Sequence, residues 1–186
     1  MFDSLGPDEP PGADRVTSIW RAIMPVPNNV PGAFPPHRLG KPDSWWVYME
    51  TTRRRLFEVA RFDKQNGDKE VLPLTFCEGP DGKREWRWQA PPAPRPLYGL
   101  DRLAQRPESP VLISEGEKVA DAAAALFPDY VAVTSHGGAR AAAKSHWRPL
   151  RGRSVIVWPD HDIKRAETTR QTLCGSPMRL APHPCG

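Results

Sequence analysis

Apolar positions along this chain come in two textures, and each predicts its own kind of sheet. Between Ser44 and about Trp88 they alternate with polar or charged residues, the period-2 rhythm of strands with one buried face. WWVYME, RRLFEVARFD, VLPLTFC and REWRWQA are the candidate strands. Asn66-Gly67 and Asp81-Gly82 lie between them as turn signals, so the region predicts a small antiparallel meander of about four strands. From Pro110 the apolar residues instead form short solid runs: Val111 to Ile113, Tyr130 to Thr134 and Val155 to Val157. Such runs suit strands buried on both faces. Alanine-rich segments between them predict helices over about Glu117–Leu126 and Ala139–Ser145. Strand and helix in alternation predict βαβ crossovers and a parallel sheet.

The expected fold class is therefore α/β: a parallel sheet flanked by helices, preceded by a small antiparallel β meander and a proline-rich N-terminal arm. The arm or linker covers residues 1–42, where nine of the 23 prolines fall and no periodic pattern is visible. Trp20, Ile23 and Met24 are its candidates for docking on the rest of the chain. The antiparallel subdomain covers 43–96 and ends in the stiff joint Pro91 to Pro96. PLYGLDRLAQRP then predicts a short helix with Gly99 near its start. The α/β domain runs over 97–173, and 174–186 reads as an irregular tail.

Composition narrows the picture without deciding it. The 186 residues can hold one domain of ordinary size with appendages. A net charge of +4 and a pI near 9.1 permit a polyanionic partner. Cys77, Cys174 and Cys185 are scattered with no C-x-x-C pair, which excludes a zinc ribbon and suits a reducing cytoplasm. No apolar run approaches the ~20 residues of a membrane span, and the amino terminus is polar rather than signal-like.

The candidate chemistry collects at strand ends. Glu115 follows the first buried strand, and Ser135-His136-Gly137-Gly138 follows the second. Asp160 and Asp162 follow the third. Open α/β sheets place ligands outside the carboxyl ends of their strands. Carboxylate oxygens are the ligands Mg²⁺ prefers, and in an extended segment Asp160 and Asp162 would point the same way. Glu115 completes such a site or serves as general acid or base. Amides of Gly137 and Gly138 suit phosphate oxygens, and Lys118 either neutralises a phosphate or is an exposed helix lysine.

Other residues carry two readings each. Trp45, Trp46, Trp86 and Trp88 are stacking faces for unpaired bases or cross-strand core pairs. Arg53, Arg54, Arg55, Arg84 and Arg87 contact phosphates or form a solvated face. Arg140 and Lys144, four apart on the expected helix, are nucleic-acid contacts or solubilising charges. His136 and His161 are contacts to phosphate or metal, or surface histidines with no fixed role, and the second is the expectation for each. Cys77 has no histidine in motif range, which leaves covalent catalysis without support.

These residues also carry a family resemblance. VLISEGEKVAD (Val111 to Asp121) and VIVWPDHD (Val155 to Asp162) resemble the two signature segments of the Toprim domain of primases, topoisomerases and some nucleases. RFDKQNGDKEVLPLTF, REWRW, PRPLYGLDRL and TSHGGARAAAKSHW are similar to Toprim-containing primase-like replication proteins of bacteria, phages and mobile elements. The likeness covers roughly Trp45 to Asp162. It implies a Toprim-like sheet and Mg²⁺- or Mn²⁺-dependent nucleotidyl transfer making RNA primers. The implied partners are single-stranded DNA template, ribonucleotides and a replicative helicase, in the cytoplasm and away from membranes. By the same resemblance Glu115 matches the signature glutamate, and Asp160 and Asp162 match the D-x-D aspartates. The chain departs from the pattern at Arg165, where many relatives close D-x-D-x-x-G with glycine. Where the family pattern continues with a helix and a fourth strand, the last residues offer one poor helix and one short candidate strand around Met178 to Ala181, which reads as a truncated or frameshifted copy. A non-catalytic nucleic-acid-binding module and a Toprim nuclease are the alternative readings.

Overall fold

The computed structural model describes residues 20–30 and 35–159. Two sheets make up the described chain. The first contains β1 (Arg21–Ala22), β2 (Ser44–Met49), β3 (Arg55–Asp63), β4 (Lys69–Glu78) and β5 (Arg84–Arg87). Its strands run in the order β1-β4-β3-β2, all pairs antiparallel, with β5 on the far side of β4. Gly67 and Gly82 take positive φ in the turns at Asn66-Gly67 and Asp81-Gly82, as type-specific turn chemistry requires. The meander is thus present with the strands the alternation predicts.

The arm is not a free tail over its described part. Arg21–Ala22 pairs with Cys77 and Glu78 of β4, and Ile23 N–H donates to Phe76 O at 2.8 Å. Val26 N–H donates to Arg55 O at 2.7 Å, and its side chain is buried with Leu74, Phe76 and Trp86. One residue-dense apolar patch (Trp20, Ile23, Met24, Val26) in a proline-rich context was enough to seat the segment, because β4 offered an unpaired backbone edge.

The second sheet has β6 (Leu97–Tyr98), β7 (Val111–Ser114), β8 (Val131–Ser135) and β9 (Val155–Val157), in the order β6-β8-β7-β9. β7 is parallel to both β8 and β9, while β6 is antiparallel to β8. Between these strands lie α1 (Leu100–Gln105) and α2 (Glu117–Leu126). Alternation along the strands splits the core into two layers. Val111, Ile113, Val131 and Val133 face Leu97, Leu100, Leu103 and Leu150 on one side. Leu112 and Ala132 face Ala120 and Ala123 of α2 on the other, where small side chains let the helix lie close.

The short helix expected with Gly99 near its start is present as α1, directly after Gly99, and Leu97–Tyr98 before it forms an antiparallel edge strand. One local expectation is corrected. The segment Ala139–Lys144 is a 3₁₀ helix rather than an α-helix. With about 3.0 residues per turn, positions four apart diverge by roughly 120°, so the i,i+4 pairing expected of an α-helix does not apply to this segment. Among the described residues no helix is long and apolar enough to cross a membrane.

Candidate active site

Glu115 leaves the carboxyl end of β7, the strand with a parallel neighbour on each side. A narrow cleft opens there, lined by Ser114 and Glu115, by Ser135 at the end of β8 and Gly138 beyond it, and by Trp158 and Pro159 beyond β9. Parallel register brings these ends level: Ser114 pairs with Thr134, Ile113 with Val157, and Trp158 N–H donates to Ile113 O at 2.8 Å. Ala142 and Trp147 close one wall, with Trp147 Nε1 donating to Ala142 O at 2.8 Å. Inside this cleft Glu115 Oε1 is buried and has no hydrogen-bond partner among the described residues. An oxygen left so is costly unless a ligand completes it.

The glycine turn forms one lip. Gly137 and Gly138 have φ of +90° and +65°, and a Cβ on Gly138 would lie 3.9 Å from Glu115 O. The backbone of the turn therefore runs against the strand end that carries Glu115. Lys118 is exposed on the first turn of α2 and does not line the cleft. Asp160 and Asp162, with His161, lie outside the described residues, the next in sequence after Pro159. Among the described residues no three acid, histidine or cysteine side chains gather closely enough to hold a metal ion.

His136 is buried, not on the surface. Its ring meets Phe57 of β3 edge-on at 6.0 Å, and Nδ1 has no partner. Burial first, and then the charge of Arg95, lowers its pKa to about 4. Apolar neighbours in HGGA gave no sign of this, because the burying surface comes from the other sheet.

The aromatic and basic candidates of the meander serve mostly structure. Trp46 and Trp86 are buried, and Trp45 and Trp88 are half-buried with rings 6.2 Å apart. Trp45 donates to Glu58, Trp46 to Asp121 at 2.9 Å and Trp88 to Pro35 O at 3.2 Å. Arg54 pairs with Glu50, Arg55 with Glu58, Arg84 with Glu78 and Arg87 with Glu85. Arg55 also lies over the Trp86 ring and Arg87 over Trp20. Arg53 is exposed at a turn with φ 62°. Lys144 is exposed, and the side chain of Arg140 lies outside the described part.

Sequence reasoning missed a polar seam between the first sheet and α2, buried at Glu117 and exposed at Asp121. Glu117 and Asp121, i and i+4 on α2, both face β2. Tyr48 Oη donates to Glu117 at 2.8 Å, and Asp121 accepts from Trp46 and from Tyr98 Oη at 2.9 Å. Burial raises the pKa of Glu117, and burial and then Asp121 push Tyr98 up to about 12. The available signal was the spacing itself, which reads equally well as an acidic helix start.

A family model described as "Domain of unknown function (DUF6371)" matches residues 43–161. No curated protein matches the chain. Among solved structures the chain is similar to the primase fragment of the bacteriophage T7 primase-helicase protein, at 18% identity and a TM-score of 0.41, covering 84% of this chain and 72% of that one. It is also similar to a chain of the complex of bacteriophage T7 lagging-strand DNA polymerase with primase domains bound to an RNA/DNA hybrid and dTTP. The identity there is 18% and the TM-score 0.42, covering 82% of this chain and 87% of that one.

Proposed function

The chain belongs to the DUF6371 family, and we propose for it the catalytic core of a primase-like protein, with a Toprim-like second sheet. It performs Mg²⁺-dependent nucleotidyl transfer, joining ribonucleotides on single-stranded DNA, with a replicative helicase as the partner its resemblance implies. The observation that carries this reading is Glu115 Oε1, buried and unpartnered where three parallel strand ends converge.

The donor set fits a hard divalent cation. Glu115 offers a carboxylate oxygen, and Asp160 and Asp162 are the further ligands supplied by the sequence. A cation held there would offset phosphate charge and polarise the reacting phosphoryl group. The remaining work falls to this chain's own groups. In this reading the carboxylate of Glu115 accepts the proton of an attacking hydroxyl. The turn at Gly137 and Gly138 offers backbone amides to phosphate oxygens. Trp147 and Trp158 form part of the cleft wall.

Calorimetry with Mn²⁺ and Mg²⁺, alongside ribonucleotide incorporation on single-stranded DNA, tests this. Glu115→Gln should weaken metal binding at least ~10-fold and cut incorporation at least ~100-fold. Metal and strand binding without incorporation would favour a non-catalytic binding module, and strand cleavage would favour a nuclease. Equal metal binding by parent and variant would remove Glu115 from the site.

A further inference from the structure

Charge is divided unevenly along the chain. Between Asp43 and Gln89 there are nine acidic and nine basic residues, so the meander is neutral despite its arginine clusters. Between Tyr130 and Pro159 there are five basic residues and no acidic one. That stretch alone exceeds the +4 of the whole chain.

The structure also shows where this charge points. Lys144, His146 and Arg148 are exposed, while the intervening Ser145 is buried and Trp147 half-buried. Ser145 is extended (φ −97°, ψ 152°), which puts Lys144 and His146 on the side away from its buried side chain, and Arg148 opens the following 3₁₀ turn. Arg95 joins them through the backbone: its N–H donates to Lys144 O and its carbonyl accepts from His146 N–H, both at 2.7 Å. Arg151 is exposed just beyond the short 3₁₀ turn Arg148–Leu150. Arg153 is different, because its guanidinium is committed to Leu103 O and Arg106 O. Among the described residues none of Lys144, Arg148 and Arg151 has a carboxylate partner, whereas Arg54, Arg55, Arg84 and Arg87 each have one.

We propose that the ridge of Lys144, His146, Arg148 and Arg151, with Arg95 beside it, is the surface that holds the backbone of a single nucleic-acid strand, in place of the meander arginines. The choice of a nucleic acid rests on the primase-like reading and on a second feature of the same place. Trp147 and Trp158 line the cleft into which the ridge leads, and Trp158 is 40% exposed. Cations along a track with aromatic faces at its end suit phosphates and unpaired bases together. An anionic membrane would use the cations but not Trp147, which is half-buried with its Nε1 committed to Ala142 O. Binding a strand along the ridge delivers it to the lip of the Glu115 cleft.

The test is anisotropy of a labelled oligodeoxythymidine with the full chain, in EDTA, so that binding is read without any metal site. The combined variant Lys144→Ala, Arg148→Ala, Arg151→Ala should bind at least ~10-fold more weakly, with a salt slope lower by about 2 for three lost contacts. The variant Arg53→Ala, Arg54→Ala, Arg84→Ala should stay within about twofold of the parent, since those charges are exposed and largely self-paired. Swapping Lys144→Arg and Arg148→Lys should restore binding, which a folding defect would not allow. Unchanged binding by the ridge variant, or equal losses in both triple variants, overturns the assignment. Binding to phosphatidylserine vesicles as tight as to the oligonucleotide, lost through the same ridge residues, assigns the surface to membranes and overturns it too. A ridge that works while Glu115→Gln leaves metal binding unchanged would sink the catalytic reading alone.

Discussion

Tyr48 of the first sheet donates its hydroxyl to Glu117 at the start of α2, at 2.8 Å and out of contact with solvent. This bond is half of a clamp. Two residues back on β2, Trp46 Nε1 donates at 2.9 Å to Asp121, one helical turn beyond Glu117. Alternate residues of a strand thus grip positions i and i+4 of a helix, so the two periodicities match along one line of contact. Arg102 supports the outer end, 3.7 Å from Asp121 and stacked over Tyr98. Glu117 follows Glu115 by two residues, so the clamp fixes the helix start that leads out of the cleft.

Tyr48→Phe should destabilise the fold by about 1–3 kcal/mol, because it leaves a buried carboxylate short of its donor. Glu117→Gln should cost less, and the double variant should show coupling of at least ~0.5 kcal/mol. Burial raises the pKa of Glu117 above its ordinary 4.5. The folded chain then holds a proton that the unfolded chain has released. Stability from this group is complete below 4.5 and is lost as pH rises through the folded value. Glu58 is raised by burial in the same direction. Urea unfolding across pH should therefore show a slope that Glu117→Gln reduces but does not abolish.

Val26→Ala should cost about 2 kcal/mol, from two lost methyl groups and the gap left against Leu74, Phe76 and Trp86. A free arm would show no change in the denaturation midpoint. The measurement therefore tells a docked segment from a linker.

The elements that were legible in the sequence owe their form to local patterns. Alternation gave β2 to β5, and solid apolar runs at Val111, Val131 and Val155 gave the parallel strands. Glu115 was legible because a carboxylate after a buried strand has few structural uses. What was hidden depends on partners far away in sequence. Val26 is buried only because β4 leaves an edge beside it, and His136 only because Phe57 crosses from the other sheet. Leu97–Tyr98 pairs with Ser135 and Thr134, nearly forty residues on, and that contact overrode its helical surroundings. Arg84 looked available to phosphate because its acid, Glu78, reaches it only through the register of β4 and β5, whereas Arg87 pairs with Glu85, two residues away on the same strand.

Gly137→Ala and Gly152→Ala form a matched test of the glycine turn. Both glycines have positive φ, +90° and +78°, so each substitution carries backbone strain of about 1–2 kcal/mol. A Cβ on Gly152 meets nothing within 4 Å, whereas one on Gly137 would lie 2.8 Å from Ala141 Cβ. Gly137→Ala should therefore cost more by at least ~1 kcal/mol. It should also weaken triphosphate binding, a change that Gly152→Ala should not produce. Equal losses of stability would mean that the turn is not packed against Ala141.

His136 should govern the acid side of the stability curve. At 5% exposure it sits against Phe57 with an unpartnered Nδ1, and its pKa is lowered from 6.5 to about 4. The unfolded chain takes up a proton near 6.5 that the folded chain refuses until about pH 4. Stability from this group is complete above 6.5 and is lost progressively as pH falls toward 4, by up to about 3 kcal/mol. Glu117 and Glu58 pull the other way over an overlapping range, since their raised pKa values favour the folded state in acid. His136→Phe removes both the titration and the orphaned nitrogen while keeping a ring against Phe57. The variant should lose the parent's decline between pH 6.5 and 4 and gain stability there as the two buried carboxylates protonate. Urea midpoints measured across that interval decide the matter: a variant curve parallel to the parent's would mean that His136 is not the group whose burial limits the fold in acid.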